Sequence, residues 1–352
     1  MASPSPGIPV YLGTYTRSTS RGIYRVTLDP STGGLSTPEL VAETPDPTYL
    51  SLSRDRTILR AVCATPVMSV AFRIGEEGAL EPLQGTQTPE GPPPCHITHD
   101  TTGTVVVLSN YHTGIVAAAH VSPSGVASAP QVVIHTGCGL HPIRQKTAHV
   151  HCAAVSPDNR FVLVCDLGLD RIFSYALDPA LPALSPAAVP STATEPGSGP
   201  RHLVFSRSGA RVYLACELAN TVCAYAYDAP TGGLSLLQTV SSLPAGFEGE
   251  STAAAIRLHP NGRFLYVSNR GSDTLALFRI DPSTGTLAAG GFVPAGGKAP
   301  RDFALSEDGR WLICAHHLSD SLCSFSVDPD TGTLTSTSHR QAVPMPVCVA
   351  FA

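Results

Sequence analysis

Lysine is nearly absent from this chain: Lys146 and Lys298 are the two lysines among 352 residues, and twenty arginines supply the other basic charges. The formal net charge is −5, so the chain lacks the basic surplus that binds nucleic acid or an anionic membrane surface. Any anion site must therefore be built from arginines gathered locally. No apolar run approaches the ~20 residues of a membrane-spanning helix. The opening stretch "MASPSPGIPVYLGTY" has neither a charged start nor a continuous apolar core, so it does not read as a secretory leader. There are ten cysteines but no C-x-x-C pair and no zinc-type spacing. Cys165, Cys216, Cys223, Cys314 and Cys323 fall in alternating apolar runs, where a thiol packs as a small hydrophobe. A reduced, cytoplasmic protein without a bound metal or cofactor is expected. Helical periodicity is missing over any useful length, which excludes helical and α/β architectures.

What is present is a repeat. The stretch "PRHLVFSRSGARVYLACELANTVCAYAYD" returns as "AHVHCAAVSPDNRFVLVCDLGLDRIFSYALD", as "AAAIRLHPNGRFLYVSNRGSDTLALFRID" and as "PRDFALSEDGRWLICAHHLSDSLCSFSVD". Weaker copies begin at "PTYLSLSRD" and "PCHITHDTT". Taking Ser206 as anchor, its counterparts are Ser53, Asp100, Ser156, His259 and Ser306, spaced by roughly fifty residues. Each unit reads as four short strands separated by Gly, Pro, Asn and Asp turns, the pattern of a β-propeller blade. Six whole units follow Pro47. A seventh is split between "YLGTYTRSTSRGIYRVTLDPSTGGL" at the start and "PMPVCVAFA" at the end. An all-β, seven-bladed propeller is predicted, closed by strands from both termini and forming one domain over residues 1–352. The Pro/Ala/Ser-rich stretch "DPALPALSPAAVPSTATEPGSG" then falls on an outer strand and its exit loop, not on a linker.

In a propeller the first strand of each blade lines the channel, and the second returns beside it. The residue opening the first strand and the residue closing the second therefore share one face. Five residues before the anchors stand Thr48, Cys95, His151, Arg201, Ala254 and Arg301; eleven after them stand Ala64, Tyr111, Leu167, Glu217, Arg270 and His317. The rule predicts a one-sided polar pocket of His151, Arg201, Glu217, Arg270, Arg301 and His317, with Tyr111 beside them. Three guanidiniums converging without three matching acids repel one another unless an anionic guest is expected. His149 lies two residues before His151 and is expected on the same face, in contact with that guest. The pair has no third metal ligand placed by the repeat, so no metal is expected. His96 and His202, one residue beyond the ring position, are expected to point into the blade packing. Glu248 and Glu250, in the loop before the fifth blade, are candidates to cover the mouth.

Several of these stretches also carry a family resemblance. "YLGTYT", "PCHIT", "SNY", "GPRHLVFS", "FLYVSNRGSDTLALFRID", "GGKAPRDFALSEDGRWL" and "PVCVAFA", in order along the whole chain, resemble the lactonase family of seven-bladed propellers. That family includes propeller-type 6-phosphogluconolactonases and fungal carboxy-muconate cyclases. The resemblance implies a lactone-handling enzyme whose functional His, Arg, Glu and Arg map onto His151, Arg201, Glu217 and Arg270. Departures from the pattern are Ala255 where the family has an acid, Ser272 where it often has His, and Cys63-Ala64 for an Asn-Glu pair. The implied activity is metal-independent hydrolysis of a small anionic lactone, foremost 6-phosphogluconolactone. His151 would be the general base, Arg201 and Arg270 the oxyanion stabilisers, Arg301 the phosphate holder, with Tyr111, His149 and His317 as further substrate contacts. A carboxy-muconate cyclase could use the same pocket on a tricarboxylate. A non-catalytic binding platform would call for an apolar or aromatic face, whereas aromatics make up 6% of the chain.

Overall fold

Alternating side chains put every second residue of a strand on the same face. In each repeat the apolar set of these runs meets the apolar set of the next repeat. The computed structural model describes residues 7–64, 69–83, 93–181 and 183–352. Residues 1–6, on which part of the leader reading rests, lie outside them. The described strands form seven four-stranded sheets, all antiparallel, and the one helical element among the described residues is a 3-10 turn at Glu76–Gly78. Blades 1 to 6 span residues 50–83, 96–134, 150–193, 200–241, 252–294 and 300–342. Blade 7 takes its innermost strand, Pro346–Phe351, from the C-terminus and its other three, Ile8–Thr14, Gly22–Leu28 and Glu39–Glu43, from the N-terminus. The innermost strands touch their neighbours around the full circle. The fold is a seven-bladed β-propeller, closed as the split repeat predicts. The Pro/Ala/Ser-rich stretch contributes the outermost strand of blade 3, Ala183–Ala193.

The hydrophobic core is distributed between blades. One cluster fills each seam: Phe264, Tyr266, Phe303 and Leu312 between blades 5 and 6, for example, and Leu12, Val26, Trp311 and Ile313 between blades 6 and 7. The turn after each anchor holds a residue in the left-handed region three positions on. That residue is Gly in four blades, Asn159 in blade 3 and Arg56 in blade 1. Among the described residues, six of the seven seams are also stapled by a side chain that donates to the carbonyl of a left-handed glycine in the next blade's outer hairpin. Tyr11 does so to Gly78 at 2.8 Å, Tyr213 to Gly285 at 3.1 Å and Tyr266 to Gly332 at 2.7 Å. Ser174 reaches Gly232, Ser324 reaches Gly33, and Arg60 reaches Gly125.

Candidate active site

The channel-facing residues are aimed by a backbone irregularity that repeats from blade to blade. In blade 3 the pairing runs Val150 with Asp166, then Cys152 with Cys165, leaving His151 without a cross-strand partner. Blade 4 skips Arg201 in the same way, blade 6 skips Arg301, and blade 7 skips Val347. Each is a β-bulge, which bends the strand and redirects the extra residue. His151, Arg201 and Arg301 are thereby turned toward one mouth of the channel, where the closing residues of the second strands also arrive.

There Glu217 is gripped by three arginines. Its Oε2 accepts from Arg201 Nε at 2.8 Å and lies 3.0 Å from an Arg270 terminal nitrogen, while Oε1 accepts from Arg144. Arg201 also donates to the Ala254 carbonyl at 2.7 Å, and Arg270 to that of Ala253 at 3.3 Å. Arg201 is 2% exposed, Glu217 3% and His151 5%. The group borders a cavity of about 260 Å³, and Tyr111, His151, Arg201, Glu217, Arg270 and Arg301 all lie on its wall. Five arginines line that wall against three carboxylates. One of the three, Asp302, is already bound at 2.7 Å by a sixth arginine, Arg257.

Burial alone would raise the Glu217 carboxyl, but Arg270, Arg201 and Arg144 carry it well below the usual carboxylate range. It is an anion at every physiological pH, and its oxygens serve to position guanidiniums. Burial, and then Arg270, bring Arg201 down to about 10, so it keeps its charge. Burial and the neighbouring Arg201 push His151 well below the ordinary imidazole value, with Glu217 opposing. His151 is therefore neutral, with Nδ1 lacking any hydrogen-bond partner among the described residues. Beneath this layer lies a second one. Tyr49 and His202 also line the cavity, and the His96 ring packs tilted against Tyr49 at 4.2 Å. His202 sits 5.1 Å from His151 between ring centroids.

Two of the residues expected in contact with the guest lie off the cavity wall. The inner strand of blade 3 begins at Val150 and bulges at His151, so His149 does not share its face. The His149 ring stacks on Tyr111 at 4.2 Å, and its Nδ1 meets the Tyr111 carbonyl at 2.7 Å. His317 bonds the Ala299 carbonyl through Nδ1 at 3.1 Å and stands edge-on to Tyr15 at 6.4 Å. His202 departs from expectation in the other direction: the bulge at Arg201 brings it to the cavity and not into the blade packing. Glu248 and Glu250 are exposed and do not line the cavity.

Sequence reasoning missed Tyr15, Arg17 and Arg144. Tyr15 is the closing residue of the second strand in blade 7, its N–H donating to the Met345 carbonyl as Glu217 N–H does to that of Gly199. Pairing the split repeat across the termini would have found it. Arg144 sits in the long connection between blades 2 and 3, outside the repeat register, and no signal in the sequence marks it. Among the described residues, no group of three or more His, Cys, Asp or Glu is placed to hold a metal ion.

Residues 9–351 match the family model described as "Lactonase, 7-bladed beta-propeller". The 6-phosphogluconolactonase of Bacillus subtilis (strain 168) is 35% identical over 344 residues, covering 97% of each chain. The structure of a periplasmic gluconolactonase from Pseudomonas aeruginosa superposes with a TM-score of 0.93 at 33% identity, over 99% of each chain. A Lactobacillus plantarum protein gives 0.92 at 34% identity, over 99% of this chain and all of that one. With the same fold, end-to-end coverage and a family match over nearly every residue, this chain belongs to the lactonase family of seven-bladed β-propellers.

Proposed function

We propose that the protein hydrolyses a sugar lactone and that 6-phosphogluconolactone fits its cavity best. The observation that carries this reading is the pair Arg201 and Arg270 held on one buried carboxylate beside a neutral imidazole. Hydrolysis needs a water deprotonated, an oxyanion stabilised and a ring oxygen reprotonated. His151 accepts the water proton as the new C–O bond forms, and the carbonyl oxygen becomes an oxyanion facing Arg201 and Arg270. A preorganised donor in such a role contributes about 3 to 4 kcal/mol. Collapse of the tetrahedral intermediate breaks the bond to the ring oxygen, which takes the proton back from His151 and leaves a hydroxy acid. Glu217 keeps both guanidiniums in place. An arriving anion offsets the field of Arg201 and so raises the basicity of His151 when substrate is bound.

The relatives support a lactone substrate, since one is named 6-phosphogluconolactonase and another gluconolactonase. The surplus of arginine over carboxylate on the cavity wall favours the phosphorylated lactone. Eight of the ten cysteines are buried and no disulfide links any of them among the described residues, which suits the cytoplasm. The test is turnover of fresh 6-phosphogluconolactone, glucono-lactone and a carboxy-muconolactone, with and without chelator, after subtraction of spontaneous hydrolysis. Enzyme-dependent, chelator-insensitive hydrolysis of the phosphorylated lactone is expected. Turnover of the muconolactone alone would overturn the reading.

A further inference from the structure

The cavity wall carries two differently built groups of arginines. In the first, Arg201, Arg270 and Arg144 share Glu217. In the second, two guanidiniums lie over one aromatic ring with little to neutralise them. Arg17 lies 4.3 Å from the Tyr15 ring centroid and Arg301 lies 5.5 Å from it. Arg301 has no carboxylate partner among the described residues. Arg17 approaches Asp46 only at 3.8 Å, through Nε, with its side chain 64% exposed. The same Asp46 is held through Oδ1 by the Thr16 backbone N–H at 2.7 Å. Tyr15, Arg17 and Arg301 all line the cavity, so the pair faces the space a substrate would occupy.

Two like charges held on one ring are repelled unless a multiply charged anion is to sit between them. A guanidinium presents a planar fork that fits phosphate oxygens, and stacking on an aromatic ring limits the freedom lost on binding. A carboxylate brings a single negative charge, whereas a phosphomonoester brings close to two at neutral pH. The Glu217 group is already furnished for a carbonyl that becomes an oxyanion.

We propose that Arg17, Tyr15 and Arg301 form a phosphomonoester subsite that makes the enzyme prefer the phosphorylated lactone over the plain one. The inference rests on the lactonase reading above, adding a second recognition group on the wall of the same cavity. Arg17 reaches it because blade 7 is closed by the N-terminal strand: Ile8–Thr14 ends directly before Tyr15.

The test uses the full chain and two readouts, with Arg17→Ala and Arg301→Gln as variants. One readout is calorimetric binding of inorganic phosphate at fixed ionic strength. The other is the ratio of kcat/KM for 6-phosphogluconolactone to that for glucono-lactone. Each variant is expected to weaken phosphate binding and to lower the ratio by about 10- to 100-fold, as for loss of a charged hydrogen bond. The exposure of Arg17 makes a folding defect in its variant unexpected, and thermal melting checks this. If lactones are hydrolysed but neither readout responds to Arg17, the subsite is wrong and the lactonase reading stands. If phosphate binding depends on both arginines while no lactone is turned over, the subsite stands and the lactonase reading falls.

Discussion

Arginine 201 makes two bonds that fix its plane, one to Glu217 and one to the Ala254 carbonyl, and the rest of its fork is left for a guest. Replacing it with alanine is expected to lower kcat for lactone hydrolysis by about 100- to 1,000-fold. Steady-state assays with the spontaneous rate subtracted check this, and a rate near that of the parent would remove the oxyanion role. His151 gives an independent readout. A base must be neutral to act, so activity falls as pH drops through its pKa. Burial and Arg201 hold that pKa well below 6.5 in the free protein. The acid limb of the kcat/KM profile should lie below 6.5, and in the residual activity of Arg201→Ala it should move upward. An acid limb at or above 6.5 in the parent would show another group to be the base. His151, Arg201, Glu217, Arg270 and Arg301 were legible because the repeat register places them on one face. His202 was not, because alternation cannot show a bulge, and Arg144 was not, because a connecting loop has no register.

At the scale of the element, two devices recur: a bulge turns the channel residue inward in blades 3, 4, 6 and 7, and a hairpin staple fastens one blade to the next at six seams among the described residues. Blade 1 is irregular. Arg60 stands seven residues after its anchor, where blades 4 and 5 have Tyr213 and Tyr266, and its guanidinium is fully buried. It donates to Gly125, but Nε and one terminal nitrogen have no partner among the described residues, and burial brings its pKa down to about 10. Arg60→Tyr keeps a donor for the glycine carbonyl and removes the buried charge, so it should stabilise the fold by about 1 to 2 kcal/mol. Arg60→Ala leaves a hole and an unpaired carbonyl, and should cost about 2 to 3 kcal/mol. Urea denaturation midpoints measure both, and destabilisation by the tyrosine would contradict the account. The strand repeat and its turn residues made the blades readable from sequence. The staples were not readable, because they join residues of different blades through side chains that vary from Tyr to Ser to Arg.

At the scale of the whole molecule, closure by both termini turns seven marginal sheets into a ring without a free innermost edge, and it delivers Tyr15 and Arg17 to the mouth. Closure was legible in the sequence but this delivery was not, because Tyr15 lies at the far end of the chain from the inner strand of its own blade and Arg17 lies beyond the repeat register. The ring also encloses imidazoles that must stay neutral. Burial brings His96 down to about 3 and His99 and His317 to about 4, and it pushes His151 and His202 well below the ordinary value. Between these values and 6.5 the unfolded chain binds more protons than the folded one, so stability must fall as pH falls through that window. Each histidine contributes up to about 1.4 kcal/mol per pH unit there. Melting temperature should therefore decline below about pH 6.5, and His96→Gln should flatten that decline. A melting temperature indifferent to pH between 7 and 5 would contradict the burial of these rings.

One structure would test the central claim most directly: crystals of the protein soaked with 6-phosphogluconate, the product of the proposed reaction. The carboxylate is expected against Arg201 and Arg270 with His151 beside it, and the phosphate against Arg301 and Arg17. Density for the product elsewhere on the ring, or at the mouth without contact to Arg201 and Arg270, would contradict it.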